Sequence, residues 1–146
     1  MKLSTRVQYG LRILCQLARS SSAEPLQLSE ISAREGISEK YLGQIMLGLR
    51  SAGLVEATRG SQGGYYLARP PVSISVLDLV ASVDGEVLGG IESSAGASSG
   101  AMDTLDVAAE AWIRLRSTME ACLSRLSLED LIGISLAKGE AMNFVI

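Results

Sequence analysis

The chain has 146 residues, of which 47% are apolar and only 4% aromatic, so it can form one domain of ordinary size around an aliphatic, mostly helical core. It has no histidine and only two cysteines, Cys15 and Cys122, which excludes a disulfide framework and argues against a hydrolase or a zinc enzyme. The net charge of −3 is unevenly distributed, because residues 1–69 carry nine basic and five acidic side chains and residues 70–146 carry four and eleven. A basic first half is typical of a protein that meets a polyanion, although surfaces also vary in charge for no functional reason.

The first predicted helix follows Ser4, whose hydroxyl can cap it, and apolar residues then recur at helical spacing. These residues are Val7, Leu11, Ile13, Leu14, Leu17 and Ala18. Cys15 lies in the same run and is interpreted as a small packed side chain rather than as a reactive thiol. Residues 20–25 are predicted to form a loop, because Ser, Ala, Glu and Pro make up the whole segment.

Residues 26–55 predict two helices joined by a tight turn. The first helix ends at Gly36, and its core-facing residues are Leu28, Ile31 and Ala33. Ser38 caps the second helix, which closes at Gly53. The core-facing residues of this second helix are Leu42, Ile45, Met46 and Leu49. A short helix, a glycine-containing turn and a second capped helix form a helix-turn-helix pattern.

A β-hairpin is predicted directly after this helix pair. Residues 54–59 form one strand, GSQGG at 60–64 makes the turn, and YYLA at 65–68 returns as the second strand. A hairpin in this position converts the helix pair into a winged helix, and the three turn glycines allow close approach to a partner. The polar residues on the outer side of the second helix are Glu39, Lys40, Gln44 and Arg50. Such side chains suit phosphates and base edges, so the pattern favours DNA binding over a solvated helix beside an ordinary hairpin.

After Pro70 and Pro71, a capping box from Ser75 to Asp78 predicts a further core-packing helix. The stretch GGIESSAGASSGA at 89–101 holds mostly Gly, Ser and Ala and is predicted to be a linker.

The longest predicted helix begins at Asp103 or Thr104, and its apolar residues follow in alternating steps of three and four. This seam consists of Leu105, Ala108, Trp112, Leu115, Met119, Cys122 and Leu126. A narrow heptad seam predicts pairing with the same helix of a second copy, rather than with the first helix of its own chain. A second capping box, Ser127 to Asp130, predicts a final helix that runs to Lys138 and packs on the dimer.

The segment ISEKYLGQIMLGLRSAGLVEATRGSQGGYYLARP, with its RG-x-x-GGY wing, resembles the IscR-like family of bacterial winged-helix transcriptional regulators. The resemblance covers nearly the whole chain and implies a homodimer that places the second motif helix in the major groove of double-stranded DNA and the wing in the minor groove. The residues that it assigns to DNA contact are Lys2, Thr5, Ser38, Lys40, Tyr41, Gln44, Arg59 and Gly60. Position 43 is glycine, where many relatives carry a glutamate that helps to choose among DNA sequences, so the operator is not inferred from those relatives.

Family members that sense iron–sulfur status hold a [2Fe–2S] cluster on three cysteines in the loop before the long helix. This chain has serines at positions 93, 94, 98 and 99 of that loop, and a hydroxyl is hardly ionised near neutral pH. We therefore predict no metal and no other cofactor. The leading hypothesis is a repressor that senses a small molecule, a thiol state or a partner protein; the alternatives are a cysteine-depleted variant of a [2Fe–2S]-sensing regulator and a winged helix that binds only proteins.

The predicted fold is mainly α with a small β-hairpin wing. A winged helix-turn-helix DNA-binding domain occupies residues 1–85, a linker 86–102, and a long dimerisation helix with a short final helix 103–146. No catalytic residues are predicted. Because no apolar run is long enough to be a secretory signal or to cross a bilayer, we expect a cytoplasmic protein with no membrane partner.

Overall fold

The computed structural model describes residues 4–20, 24–85 and 102–134 and, within the last range, the side chains of residues 107 and 109–134. The helices are α1 (Thr5–Arg19), α2 (Leu28–Glu35), α3 (Glu39–Ser51), α4 (Val76–Asp84) and α5 (Met102–Arg125), and the strands are β1 (Val55–Thr58) and β2 (Gly64–Leu67). Residues 71–73 form a 3₁₀ turn, and residues 128–134 are helical. The predicted fold class, mainly helical with a hairpin wing, is confirmed.

Helices α1 and α3 begin directly after the capping serines that the sequence predicts. The backbone N–H of Val7 donates to Ser4 Oγ at 3.2 Å, and that of Tyr41 donates to Ser38 Oγ at 3.3 Å. Between these two starts, α2 ends at Gly36, which takes the left-handed conformation with φ of 66°. Each of these signals acts within four residues, so the sequence alone was sufficient to locate them.

The core of the described residues is an aliphatic cluster formed mainly by the inner faces of α1, α3 and α4, together with Ile31 of α2 and the connecting residues Leu54, Ile74 and Leu128. Its most completely buried side chains are Ile13, Leu14, Leu17, Ile31, Leu42, Ile45, Met46, Leu49, Leu54, Ile74, Leu79 and Leu128. Ala33, which was predicted to face the core, is exposed. It lies two residues beyond the buried Ile31, about 200° around the helix, and α2 buries only one side.

Glycines bring α4 close to both α1 and α3. A Cβ atom at Gly10 of α1 would lie 2.7 Å from Leu79 Cδ1, and one at Gly48 of α3 would lie 2.6 Å from the carbonyl oxygen of Ser82. Neither distance leaves space for a methyl group. The contact between α3 and α4 is therefore a backbone-to-backbone approach that depends on glycine.

One expectation for the C-terminal part is wrong, and packing of the final helix on a second copy stays a prediction. The chain is already helical at Met102, so Asp103 and Thr104 lie inside α5 rather than capping it; acidic residues also favour the first turn of a helix, so residue type alone did not distinguish the cap from the first turn. The final helical segment packs on its own chain, because Leu128 is buried with the core and the backbone of residues 126–128 pairs with that of 74–76. The predicted extension to Lys138 lies outside the described residues.

That pairing is a short antiparallel bridge between Ser75 and Ser127. The N–H of Val76 donates to the carbonyl of Leu126 at 2.9 Å, and the N–H of Leu128 donates to that of Ile74 at 2.8 Å. The start of α4 is thereby tied to the chain that leaves α5. In the part of the chain that the structure describes, no helix is long and apolar enough to cross a membrane.

Candidate nucleic-acid interface

The outer face of α3 carries the polar side chains predicted to read DNA. Lys40, Gln44 and Arg50 are exposed, together with Glu39 at the first position of the helix. The four predicted core residues of α3 are all buried on its opposite side. Helix α3 therefore separates a core face from a free face, as a helix that enters the major groove must.

The start of α3 is held against α1 by aromatic packing. The rings of Tyr41 and Tyr9 meet edge to face, with centroids 6.0 Å apart and an interplanar angle of 84°. The Arg12 guanidinium carbon lies 5.9 Å from the centre of the Tyr9 ring. Tyr41 is thus half-buried and positions the helix start, where free backbone N–H groups suit a phosphate. Tyr9 was not singled out from the sequence.

A carboxylate at the end of α2 joins the same contact region. Glu35, whose side chain is only 11% exposed, accepts from Arg12 at 3.3 Å and also from the Gln16 amide. Arg12 and Gln16 are four residues apart and so lie on one face of α1. That pair of polar residues within an apolar helix was the available sequence signal. The contact fixes the end of α2, and hence the turn into α3, against α1.

The wing is a tight hairpin whose first turn residues are exposed. Strands β1 and β2 pair from Val55 with Leu67 to Thr58 with Gly64. Arg59 and Gly60 follow β1 at the surface. The backbone of Gly60 has φ of 113°, a value that residues with a side chain rarely adopt. The wing therefore presents its arginine beside a backbone segment that no side chain covers.

A third backbone segment supports the wing from behind. Leu26 and Tyr65 exchange two hydrogen bonds, of 3.0 and 2.8 Å, just before α2 begins. Gly64 is essential to this approach, because a Cβ atom there would lie 2.6 Å from the Leu26 carbonyl oxygen. A one-residue bridge has no periodicity, so no sequence pattern predicts it. The bridge couples the wing to the start of the helix pair.

An open groove runs between the wing and the starts of α2 and α3. Its walls include Ser29 of α2, Glu39 of α3, and Thr58 and Gly60 of the hairpin. Gly60 and the first residue of α3 thus border the same groove. Of the other predicted contact residues, Thr5 is exposed at the first position of α1, and Lys2 lies outside the described residues.

The seam of α5 is exposed in the single chain. Trp112 and Leu115 are 46% and 43% exposed, Cys122 is exposed and Met119 is half-buried. Leu126, which is 37% exposed, lies one residue beyond the end of α5. The side chains of Leu105 and Ala108 lie outside the described set. Helix α5 also contacts α4.

The sulfur and carboxylate groups of the described residues do not assemble into a metal site. A [2Fe–2S] cluster takes four ligands, normally thiolates. Cys15 is half-buried on α1, where burial raises the pKa of its thiol despite the nearby Arg19, and Cys122 lies exposed on α5. Among the described residues no three His, Cys, Asp or Glu side chains are grouped to hold an ion. The donor set of the described residues therefore does not fit a cysteine-ligated cluster.

Comparison with known proteins identifies clear relatives. Residues 3–134 match the Rrf2 family, described as an iron-dependent transcriptional regulator. The chain is 34% identical to the HTH-type transcriptional regulator CymR of Bacillus subtilis, with all of both chains covered, and 46% identical to the regulator IscR of Cereibacter sphaeroides over 68% of this chain and 65% of that one.

Solved structures agree with these relatives. The solved structure of CymR, the global cysteine regulator of B. subtilis, superposes with a TM-score of 0.72 at 33% identity, covering 92% of this chain and 98% of that one. IscR of T. potens gives a TM-score of 0.70 at 32% identity, with 92% and 88% covered. The winged-helix architecture is common to all of them.

Proposed function

This chain belongs to the Rrf2 family of DNA-binding transcriptional regulators and is not an enzyme, and from that premise we propose that it binds a pseudo-palindromic operator as a homodimer and represses by occluding the promoter. The observation that carries the proposal is the common groove, in which the wing turn borders the start of α3. A helix for the major groove and a hairpin for the minor groove then face the same side of the molecule. Two such units related by a two-fold axis read two half-sites.

Within this proposal, α3 makes both phosphate and base contacts, and the wing makes a phosphate contact. Lys40 and Arg59 supply positive charge, and Gln44 can pair with a base edge. Ser38, Tyr41 and the wing Gly60 act through the backbone and through the placement of α3. Lys2 and Thr5 are proposed to contact the DNA backbone from the start of the chain's first helix.

DNA affinity tests the interface. The Lys40→Ala and Arg59→Ala variants should each bind a selected operator more weakly, by about 3- to 30-fold, and should reduce the steepness of the salt dependence by about one released counterion. Arg114→Ala is the matched control, since Arg114 is exposed on α5 and pairs with Glu110 at 2.7 Å. Equal loss in the control, or unchanged binding in both test variants, would show that DNA docks elsewhere.

The dimer is proposed to form along the exposed seam of α5. Trp112, Leu115 and Leu126 present large apolar surfaces in a heptad spacing, and apolar burial between two copies is the main driving force for such pairing. Leu115→Glu should convert the protein to monomers in sedimentation analysis. Ile113→Glu, which changes an exposed residue about 200° around the same helix, should leave the dimer intact. Dissociation by both variants would contradict a narrow seam.

We propose that the regulator works without a cysteine-ligated cluster, and that its signal is a small molecule, a thiol state or a partner protein. The chain holds two cysteines, on α1 and α5, and no histidine. Such a signal at α5 would reach α3 through α4, because α4 packs against both helices. Protein purified without oxygen should show no visible absorption bands; bands that disappear on exposure to air would refute this part.

A further inference from the structure

Leu47 is an apolar side chain on the free face of α3. It is 66% exposed, whereas Ile45 and Leu49, two residues to either side, are buried at 2% and 0%. Two residues correspond to about 200° around a helix, so Leu47 points almost directly away from the core. It is therefore central to the outer face rather than at the edge of the core.

The neighbours of Leu47 belong to the proposed DNA-reading surface. Gln44 and Arg50 lie three residues before and after it, and Lys40 lies two turns earlier on the same side, all of them exposed. Gly43 lies one turn before it, and a Cβ atom at Gly43 would meet nothing within 4 Å. Leu47 is thus surrounded by groups suited to phosphates and bases, and no side chain at position 43 screens it.

We propose that Leu47 contacts the 5-methyl group of a thymine in the major groove and so helps to determine which operator is bound. The thymine methyl is the apolar group that the four bases display in this groove. Contact removes both apolar surfaces from water, while the cationic Lys40 and Arg50 hold the helix near the phosphates. This inference rests on the proposed function, because it requires α3 to enter the groove.

The test removes the methyl group and the leucine separately. Operators are first selected from a randomised duplex pool with the wild-type protein. Each thymine of a half-site is then replaced by deoxyuridine, which lacks only the methyl group, and binding is measured for wild type and Leu47→Ala. At one position per half-site, the wild type should lose about fourfold in affinity, equivalent to the ~0.8 kcal/mol of one buried methyl group, and Leu47→Ala should lose nothing further.

Val72→Ala is the matched control, since Val72 is 62% exposed on the turn before α4. It should retain the methyl sensitivity of the wild type. The inference is overturned if Leu47→Ala keeps that sensitivity, or if the wild type shows none at any position, while both proteins bind DNA. Selection of no operator at all would instead overturn the proposed function.

Discussion

The close crossing of α3 and α4 at Gly48 can be used to test how α3, the helix proposed to enter the major groove, is positioned. In a Gly48→Ala variant, the new methyl carbon would lie 2.6 Å from the Ser82 carbonyl oxygen and 3.8 Å from Val83 Cγ1. Carbon and oxygen ordinarily approach to about 3.3 Å, so the helices must separate by about 0.7 Å. The obstructing atom is backbone, which cannot rotate away. We therefore expect alanine to strain the crossing.

The magnitude follows from two opposing contributions. Overpacking of this kind costs about 1–3 kcal/mol, whereas alanine in place of glycine in a helix interior stabilises by about 1 kcal/mol. Gly43→Ala is the matched control, because it lies in the same helix with open space around its Cβ position. It receives only the helix-propensity gain. The two variants should therefore differ by about 1–3 kcal/mol in free energy of unfolding, since the propensity contribution cancels.

Urea unfolding at one fixed protein concentration measures this difference, since unfolding of an oligomer depends on concentration. With a slope of about 2 kcal/mol per molar urea, the unfolding midpoints should be separated by about 0.5–1.5 M, Gly48→Ala being the lower. Midpoints that coincide, or a Gly48→Ala variant more stable than Gly43→Ala, would refute the close crossing of α3 and α4.

Three further outcomes can be measured. Ser75→Ala removes the acceptor of a 3.1 Å bond at the start of α4 and should lower the free energy of unfolding by about 1 kcal/mol in urea titrations. Hydrogen bonds from the Ser127 side chain and backbone lower the pKa of Asp130, so its carboxylate stabilises the fold at neutral pH. This contribution is lost as the pH falls through the lowered pKa, so the stability difference between wild type and Asp130→Asn should shrink in acid. A stability difference that does not depend on pH would contradict this reasoning. In a Cys122→Ser variant, alkylation of Cys15 should be slower than that of free cysteine between about pH 7 and 9, because burial raises the pKa of the thiol.

Local signals made much of the fold predictable. Caps at Ser4, Ser38 and Ser75 act within one helical turn, and the buried faces of α1 and α3 follow the helical period, so these features were read correctly. The hairpin was located because glycines interrupt two short apolar runs. The exposure of Lys40 was likewise a consequence of its position away from the core face of α3, and that of Arg59 followed from its place in the hairpin turn.

Contacts between distant residues were not predictable in the same way. The hydrogen bonds from α1 to Glu35 depend on how two helices cross, and the single-residue pairing of Leu26 with Tyr65 leaves no repeating pattern. Leu47 was overlooked for another reason. Its helical phase places it outside the core-facing set of α3, but a single exposed apolar residue is common on protein surfaces and is not by itself a functional signal.

The bridge between Ser75 and Ser127 has a consequence for how such a protein can diversify. A hydrogen bond joins the backbones of Val76 and Leu126. The chain between them, from α4 through α5, is therefore an excursion whose two ends are held together. Doubling the length of a flexible closed loop costs only about 0.6 kcal/mol, so residues can be inserted or removed in the predicted linker between α4 and α5 at small thermodynamic cost. The segment that responds to a signal could therefore change while the winged helix-turn-helix stays the same. The signal that is sensed and the operator that is bound can then evolve separately.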